Sequence, residues 1–211
     1  MDDQSEALVL EAIRMECLCN TQAAIDCYRR AVEHAPEMSD YCRFKIASLL
    51  VDQGETEAAI AECQIAVRIA PNDPGVCRDL ASILSQIGRV KDAVEAYRMA
   101  LRLEPGDFEA LRSLSALLLN LGEFLEAAEL LRAAVGYAED GATAALLQFK
   151  LGCALMHSGM QKEANDAWTV IVEMAEAPTW AQEQARAAIS GWPMAFTEDE
   201  VGLENDPQQT F

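Results

Sequence analysis

The feature that most narrows the fold of this chain is an internal repeat. Gln22-Ala23-Ala24-Ile25 leads through Tyr28 and Ala31-Val32 to Ala35-Pro36. Glu57-Ala58-Ala59-Ile60 leads through Cys63 and Ala66-Val67 to Ala70-Pro71. Lys91-Asp92-Ala93-Val94 leads through Tyr97 and Ala100-Leu101 to Glu104-Pro105. The prolines stand 35 and then 34 residues apart. Two more copies lack the proline: one runs Gly122, Ala127, Leu131, Ala134, Glu139, the other Gly159, Ala164, Trp168, Ile171, Glu176. A glycine opens the second half of each copy as Gly54, Gly88, Gly122 and Gly159, and Cys19 takes its place in the first. The last glycine interval is 37 residues, and Asp140-Gly141 is where its three-residue insertion is expected. A fixed period of this length marks a stack of like supersecondary units.

Within a copy the apolar residues follow helical spacing. Val90, Ala93, Val94, Tyr97, Ala100 and Leu101 line one face of an α-helix, and Leu80, Ala81 and Leu84 do the same in the helix before it. Each unit is therefore two helices and a short turn. Proline ends the second helix, because it cannot continue the hydrogen-bond ladder and pushes the residue before it out of the helical region. No run of alternating β-branched and aromatic residues signals a strand.

At this point the sequence resembles the tetratricopeptide repeat family. That family has a small residue midway along the first helix, and here the place holds Ala12, Ala47, Ala81, Ser115 and Gly152. It has alanine early in the second helix, here Ala24, Ala59, Ala93, Ala127 and Ala164, and a large residue one turn later, here Tyr28, Cys63, Tyr97, Leu131 and Trp168. A second alanine follows as Ala31, Ala66, Ala100 and Ala134, with Ile171 departing; Cys19 and Asn165 are further departures. The resemblance spans roughly residues 5–177. It implies an all-α, right-handed superhelical solenoid of five helix–turn–helix repeats over residues 1–177. Residues 178–191 are expected to form a capping helix in which Trp180, Ala185 and Ile189 cover the end of the stack. Residues 192–211 form an acidic tail expected to be mobile, with Glu198, Asp199, Glu200, Glu204 and Asp206 and no lysine or arginine from Met194 on.

Charge narrows the function. The formal net charge is −19, which disfavours nucleic acid and anionic membrane surfaces, both bound mainly through Lys and Arg. No stretch reaches the ~18–20 apolar residues of a membrane span. The acidic N-terminus is unlike a secretory signal, so a cytoplasmic protein is expected. Seven cysteines, an odd number, fall mostly inside apolar helical patterns, as small buried hydrophobes do in a reducing compartment.

The resemblance also implies a concave groove lined by the first helix of each repeat. Carried over place by place, it holds Val9, Leu10, Ile13 and Cys17; then Tyr41, Phe44, Lys45 and Ser48; then Arg78, Asp79, Ser82 and Gln86. Arg112, Ser113, Ala116 and Asn120 follow, and then Phe149, Lys150, Cys153 and His157. Lys45, Arg78, Arg112 and Lys150 give one cation to each of four successive segments, in a chain with only 16 basic residues. An extended acidic peptide or a C-terminal carboxylate fits such a row. The alternative is that these cations pair with nearby acids such as Asp79 and Glu109. The carboxylate clamp by which some family members hold heat-shock chaperones has Lys, Asn and Arg. The matching places here hold Val9, Ile13, Asp79, Glu109 and Ser113, so that clamp is absent.

The first helix is apolar nearly all round, with Leu8, Val9, Leu10 and Ile13 among its residues. That predicts cover by a partner or by a second copy of the chain, or else contact with its own second repeat. No P-loop, dinucleotide fingerprint, nucleophile elbow or zinc-protease motif is present. Cys153 and His157 have i, i+4 spacing, but two ligands make a weak metal site; no cofactor and no catalysis are expected. The function expected is protein or peptide binding as a non-catalytic scaffold or adaptor. The alternatives are a bacterial chaperone for secreted or assembling substrates and a targeting or regulatory subunit of an enzyme.

Overall fold

The computed structural model describes residues 3–36 and 39–191. Among the described residues there are eleven α-helices and no strand. They fall into two compact units, Met1–Pro105 and Gly106–Phe211. The acidic tail lies outside the described residues.

The first unit holds α1 (Asp3–Cys17), α2 (Thr21–His34), α3 (Ser39–Asp52), α4 (Thr56–Ile69), α5 (Pro74–Gln86) and α6 (Val90–Leu103). Helices pair as α1 on α2, α3 on α4 and α5 on α6; α2 packs on α3, α4 on α5, and α3 on α5. Alanine makes this close approach workable. Ala12, Ala24, Ala47, Ala59, Ala81 and Ala93 are all fully buried. Tyr28 is also fully buried, and its hydroxyl donates to the Glu16 carboxylate across the α1–α2 pair. Arg43 of α3 donates to Glu62 of α4 at 2.7 Å, with both side chains about one-fifth exposed.

The second unit holds α7 (Phe108–Leu121), α8 (Phe124–Val135), α9 (Gly141–His157), α10 (Gln161–Glu173) and α11 (Thr179–Ile189). Here α7 packs on α8, α8 on α9, α9 on α10, α10 on α11, and α9 also on α11. Asp140 and Gly141 do not form an inserted loop. Asp140 caps α9, its side chain accepting from the Thr143 amide at 2.8 Å, and Gly141 is the first helical residue. The additional length lies chiefly in α9 itself, at 17 residues against 14 in α7. Inside α11 the buried face is Ala181, Ala185 and Ala188, whereas Trp180 is 46% and Ile189 37% exposed. The expected covering role of Trp180 and Ile189 is thus taken by alanines, on a face that begins about 100° round the helix from Trp180.

The chain turns between paired helices in one repeated way. Gly54, Gly88, Gly122 and Gly159 all have φ of 78°, and Cys19 has φ of 54°. In each case the next amide reaches back to the carbonyl five residues earlier: Asn20 to Met15, Glu55 to Leu50, Arg89 to Leu84, Glu123 to Leu118 and Met160 to Leu155, at 2.8–2.9 Å. This is the Schellman closure of a helix, which needs a left-handed residue. Left-handed backbone costs a residue with a Cβ about 1–2 kcal/mol. Cys19 is exposed, so its side chain offsets little of that. Cys19→Gly is expected to raise stability by about 1 kcal/mol, read as a higher urea midpoint at unchanged slope.

Caps fix where the first helices of later pairs begin. Asp73, just before Pro74, accepts from the Val76 amide at 3.1 Å, and Asp107 accepts from the Ala110 amide at 3.0 Å. Both place a side-chain acceptor on an otherwise orphan helix amide. The Asp73 cap therefore sets the register of every α5 side chain described below.

Candidate functional site

In the first unit a recess of about 400 Å³ opens between α3 and α5. Its lining is Tyr41, Phe44, Lys45 and Ser48 from α3, with Arg78, Asp79, Ser82, Ile83 and Gln86 from α5. The spacing explains the gathering. Residues 41, 44, 45 and 48 share one face of α3, and 78, 79, 82, 83 and 86 share one face of α5. All eight residues assigned to these two groove segments come together. Ile83 joins them, one turn beyond Asp79.

The floor is apolar and the rim is charged. Phe44 is only 7% exposed and Ile83 4%, while Tyr41 is 41% exposed. The Lys45 ammonium stands 6.0 Å from the centre of the Tyr41 ring. Arg78 and Asp79 are neighbours in a 3.5 Å contact with both side chains more than a third exposed. An ion pair so open to water contributes little to stability. The lining carries two cations and one carboxylate, so it is locally positive in a chain of net charge −19.

The second unit places its assigned residues less uniformly. Arg112 contacts Glu109 at 2.7 Å across one turn of α7, the pairing that the sequence offers as the alternative to ligand binding. Asn120 is exposed and Lys150 half-buried. Phe149 is 8% exposed and packs on Trp168 with ring centres 6.3 Å apart, so it serves the core and offers little contact surface. Cys153 is buried, whereas His157 is exposed and stacks on Phe124 at 4.7 Å. Among the described residues no group of three or more His, Cys, Asp or Glu side chains could hold a metal ion.

The first helix divides its apolar residues. Leu8 and Val9 are each 8% exposed and belong to the core of the first unit. Leu10 at 61% and Ile13 at 39% point outward. The expectation of cover therefore applies to Leu10 and Ile13, not to Leu8 and Val9.

The buried thiols are poor nucleophiles. Burial pushes the Cys63 and Cys153 thiols up to about 12 and that of Cys42 up to about 11. Burial also raises Cys77, and the Asp73 carboxylate adds to it. Thiolate is the reactive form, so all four stay protonated and unreactive at neutral pH. Burial, then the bond to Glu16, raises the Tyr28 phenol as well. No helix among the described residues is long and apolar enough to cross a membrane.

Comparison with known proteins agrees with this architecture. Two models of the tetratricopeptide repeat family match residues 20–74 and 50–118. MamA, a solved structure, aligns over 93% of this chain and 100% of its own, with a TM-score of 0.62 at 16% identity. TTC0263, a thermophilic tetratricopeptide-repeat protein of Thermus thermophilus, aligns over 88% of this chain and 99% of its own, at TM-score 0.56 and 16% identity. YrrB, described as a tetratricopeptide-repeat protein with an unusual peptide-binding site, aligns over 85% of this chain and 90% of its own, at TM-score 0.61 and 16% identity. Identities this low speak to the fold alone. No curated protein matches the chain in sequence. The repeated helix pairs, the left-handed turns between them and the matched repeat models together place this chain in the tetratricopeptide repeat family.

Proposed function

We propose that this chain is a non-catalytic interaction scaffold that binds an extended, acidic segment of a partner protein in the recess between α3 and α5. The recess itself carries the proposal: aromatic and aliphatic side chains at its floor, with Lys45 and Arg78 at its rim. An extended peptide needs apolar contact for affinity and charge for orientation, and this lining offers both. Ser82 and Gln86 add hydrogen-bonding groups beside the path. YrrB, with its peptide-binding site, is a precedent on this fold for the kind of ligand.

The test is titration of a fluorescent Asp/Glu-rich peptide into the full chain. Lys45→Glu with Arg78→Glu is expected to weaken binding about tenfold or more, with helix content and melting temperature unchanged. Binding is also expected to weaken as salt rises, because the rim charges are solvent-exposed. Equal affinity of wild type and the double variant would reject the recess as the binding site.

A further inference from the structure

The outward face of α1, whose Leu10, Ile13 and Cys17 the repeat pattern assigns to the first groove segment, contributes nothing to the lining of the recess and makes a second surface. Leu10, Ile13 and Cys17 follow i, i+3, i+7 spacing, which puts them on one side of the helix. Leu10 is 61% and Ile13 39% exposed, Cys17 is exposed, and Leu18 beside it is 63% exposed. Leu8, Val9 and Ala12 occupy the opposite side and are buried in their own unit. Leu10 and Ile13 exposed side by side on one helix face, unlike scattered single apolar residues, mark a contact surface.

Charges on the same face say what fits it. Glu6 and Arg14 each lie four residues from Leu10, on either side, which is about 6 Å along the helix axis. A two-fold axis at Leu10 therefore brings Glu6 of one helix level with Arg14 of an antiparallel copy, and the reverse. Within one helix Glu6 and Arg14 are two turns apart and do not meet. The Arg14 side chain is 71% exposed, and its pair with Glu11 in the same helix, at 3.6 Å, is open to water. A pair of that kind is worth little, so Arg14 can take a second partner at small cost.

We propose that two copies of this chain pair through α1 in antiparallel register centred on Leu10, with leucine against leucine at the two-fold axis and Glu6–Arg14 pairs on either side. A two-fold contact uses one self-complementary patch, and this stripe has that property. Each copy carries a net charge of −19, which opposes association. Beyond the contact itself that repulsion is screened within about 8 Å at physiological salt, and the stripe contributes one Glu6 and one Arg14 that cancel.

Sedimentation velocity of the full chain tests the pairing. Wild type is expected to shift from monomer to dimer as concentration rises through the micromolar range. Glu6→Arg alone and Arg14→Glu alone are each expected to weaken dimerisation about tenfold. The two together are expected to restore it, since the charges are then exchanged and opposite signs face each other again across the axis; no contact within one chain predicts that rescue. The neutral variants Glu6→Gln and Arg14→Gln serve where a reversal lowers helix content. A wild type that remains monomeric at high micromolar concentration overturns the proposal. A double reversal no stronger than either single one overturns it too, as does a dimer that none of these substitutions changes.

Discussion

Gly152→Ala is expected to destabilise the second unit by about 3 kcal/mol, read as a lower urea midpoint by circular dichroism. A Cβ on Gly152 would stand 2.2 Å from Nε1 of Trp168 and 2.6 Å from Cδ1 and Cε2. Trp168 is 2% exposed, and its Nε1 donates to the Phe149 carbonyl at 3.4 Å, so the ring has nowhere to retreat. In an ordinary helix interior the same change would stabilise by about 1 kcal/mol, because alanine is the better helix former. Steric overlap wins here, and the sign of the effect identifies the close approach. Other repeats show the remedy. Ala12 and Ala81 occupy the small-residue place in repeats whose large residue is Tyr28 or Tyr97. Gly152→Ala with Trp168→Tyr recreates that combination and is expected to be more stable than Gly152→Ala alone. A double-mutant cycle with no coupling between the two positions would contradict this account.

The second large effect is alkaline unfolding. The thiols of Cys63 and Cys153 lie near 12 and that of Cys42 near 11, against 9.0 for an ordinary cysteine. Below pH 9 both folded and unfolded chains hold these protons, so the thiols add no pH dependence. Above it the unfolded chain releases protons that the folded chain must keep. Their contribution is therefore complete below pH 9 and is withdrawn between 9 and 12. Each unit of displacement corresponds to about 1.4 kcal/mol, so three buried thiols withdraw several. Cys42 and Cys63 lie in the first unit and Cys153 in the second, so each unit loses only its own share. The melting temperature is expected to fall steeply above pH 9. Cys63→Ala and Cys153→Ala should each melt lower at neutral pH yet show a shallower alkaline slope. Parallel slopes in wild type and variants would rule out these thiols as the cause of the loss.

Much of this architecture is legible in the sequence because its signals are local and repeated. Helix spacing, proline stops and glycine turns each act within one unit, and five copies in phase reinforce one another. The α3–α5 recess follows from the same regularity: once two first helices pack in register, Tyr41, Phe44 and Lys45 must face Arg78, Ser82 and Gln86. What resisted reading depends on rotation and depth. Leu8, Val9, Leu10 and Ile13 look alike as letters, yet two are core and two are surface. Which side of α1 meets α2 is settled by three-dimensional packing and not by hydrophobicity. Phe149 occupies a groove place in the repeat pattern but turns to meet Trp168. The lengthening of α9 hides behind Asp140-Gly141, a pair that reads as an insertion and acts as a helix start. Asn165 stands where the repeat pattern has an aliphatic residue. Its side-chain oxygen is buried with no hydrogen-bond partner among the described residues, a cost of about 1–3 kcal/mol.

Within each unit a helix packs mainly on its neighbours in the chain and also on the next but one, as α3 does on α5 and α9 on α11. Such a connection pattern asks for little loop closure before a contact forms. Chains dominated by near-sequence contacts cross a low entropic barrier and fold within microseconds to milliseconds. Any pair with its turn already closed can act as the nucleus, and growth can proceed from it toward either end. The recurrent left-handed turn thus sets a kinetic property as well as a shape: it lets a growing polypeptide complete one hairpin of helices before the next has been made.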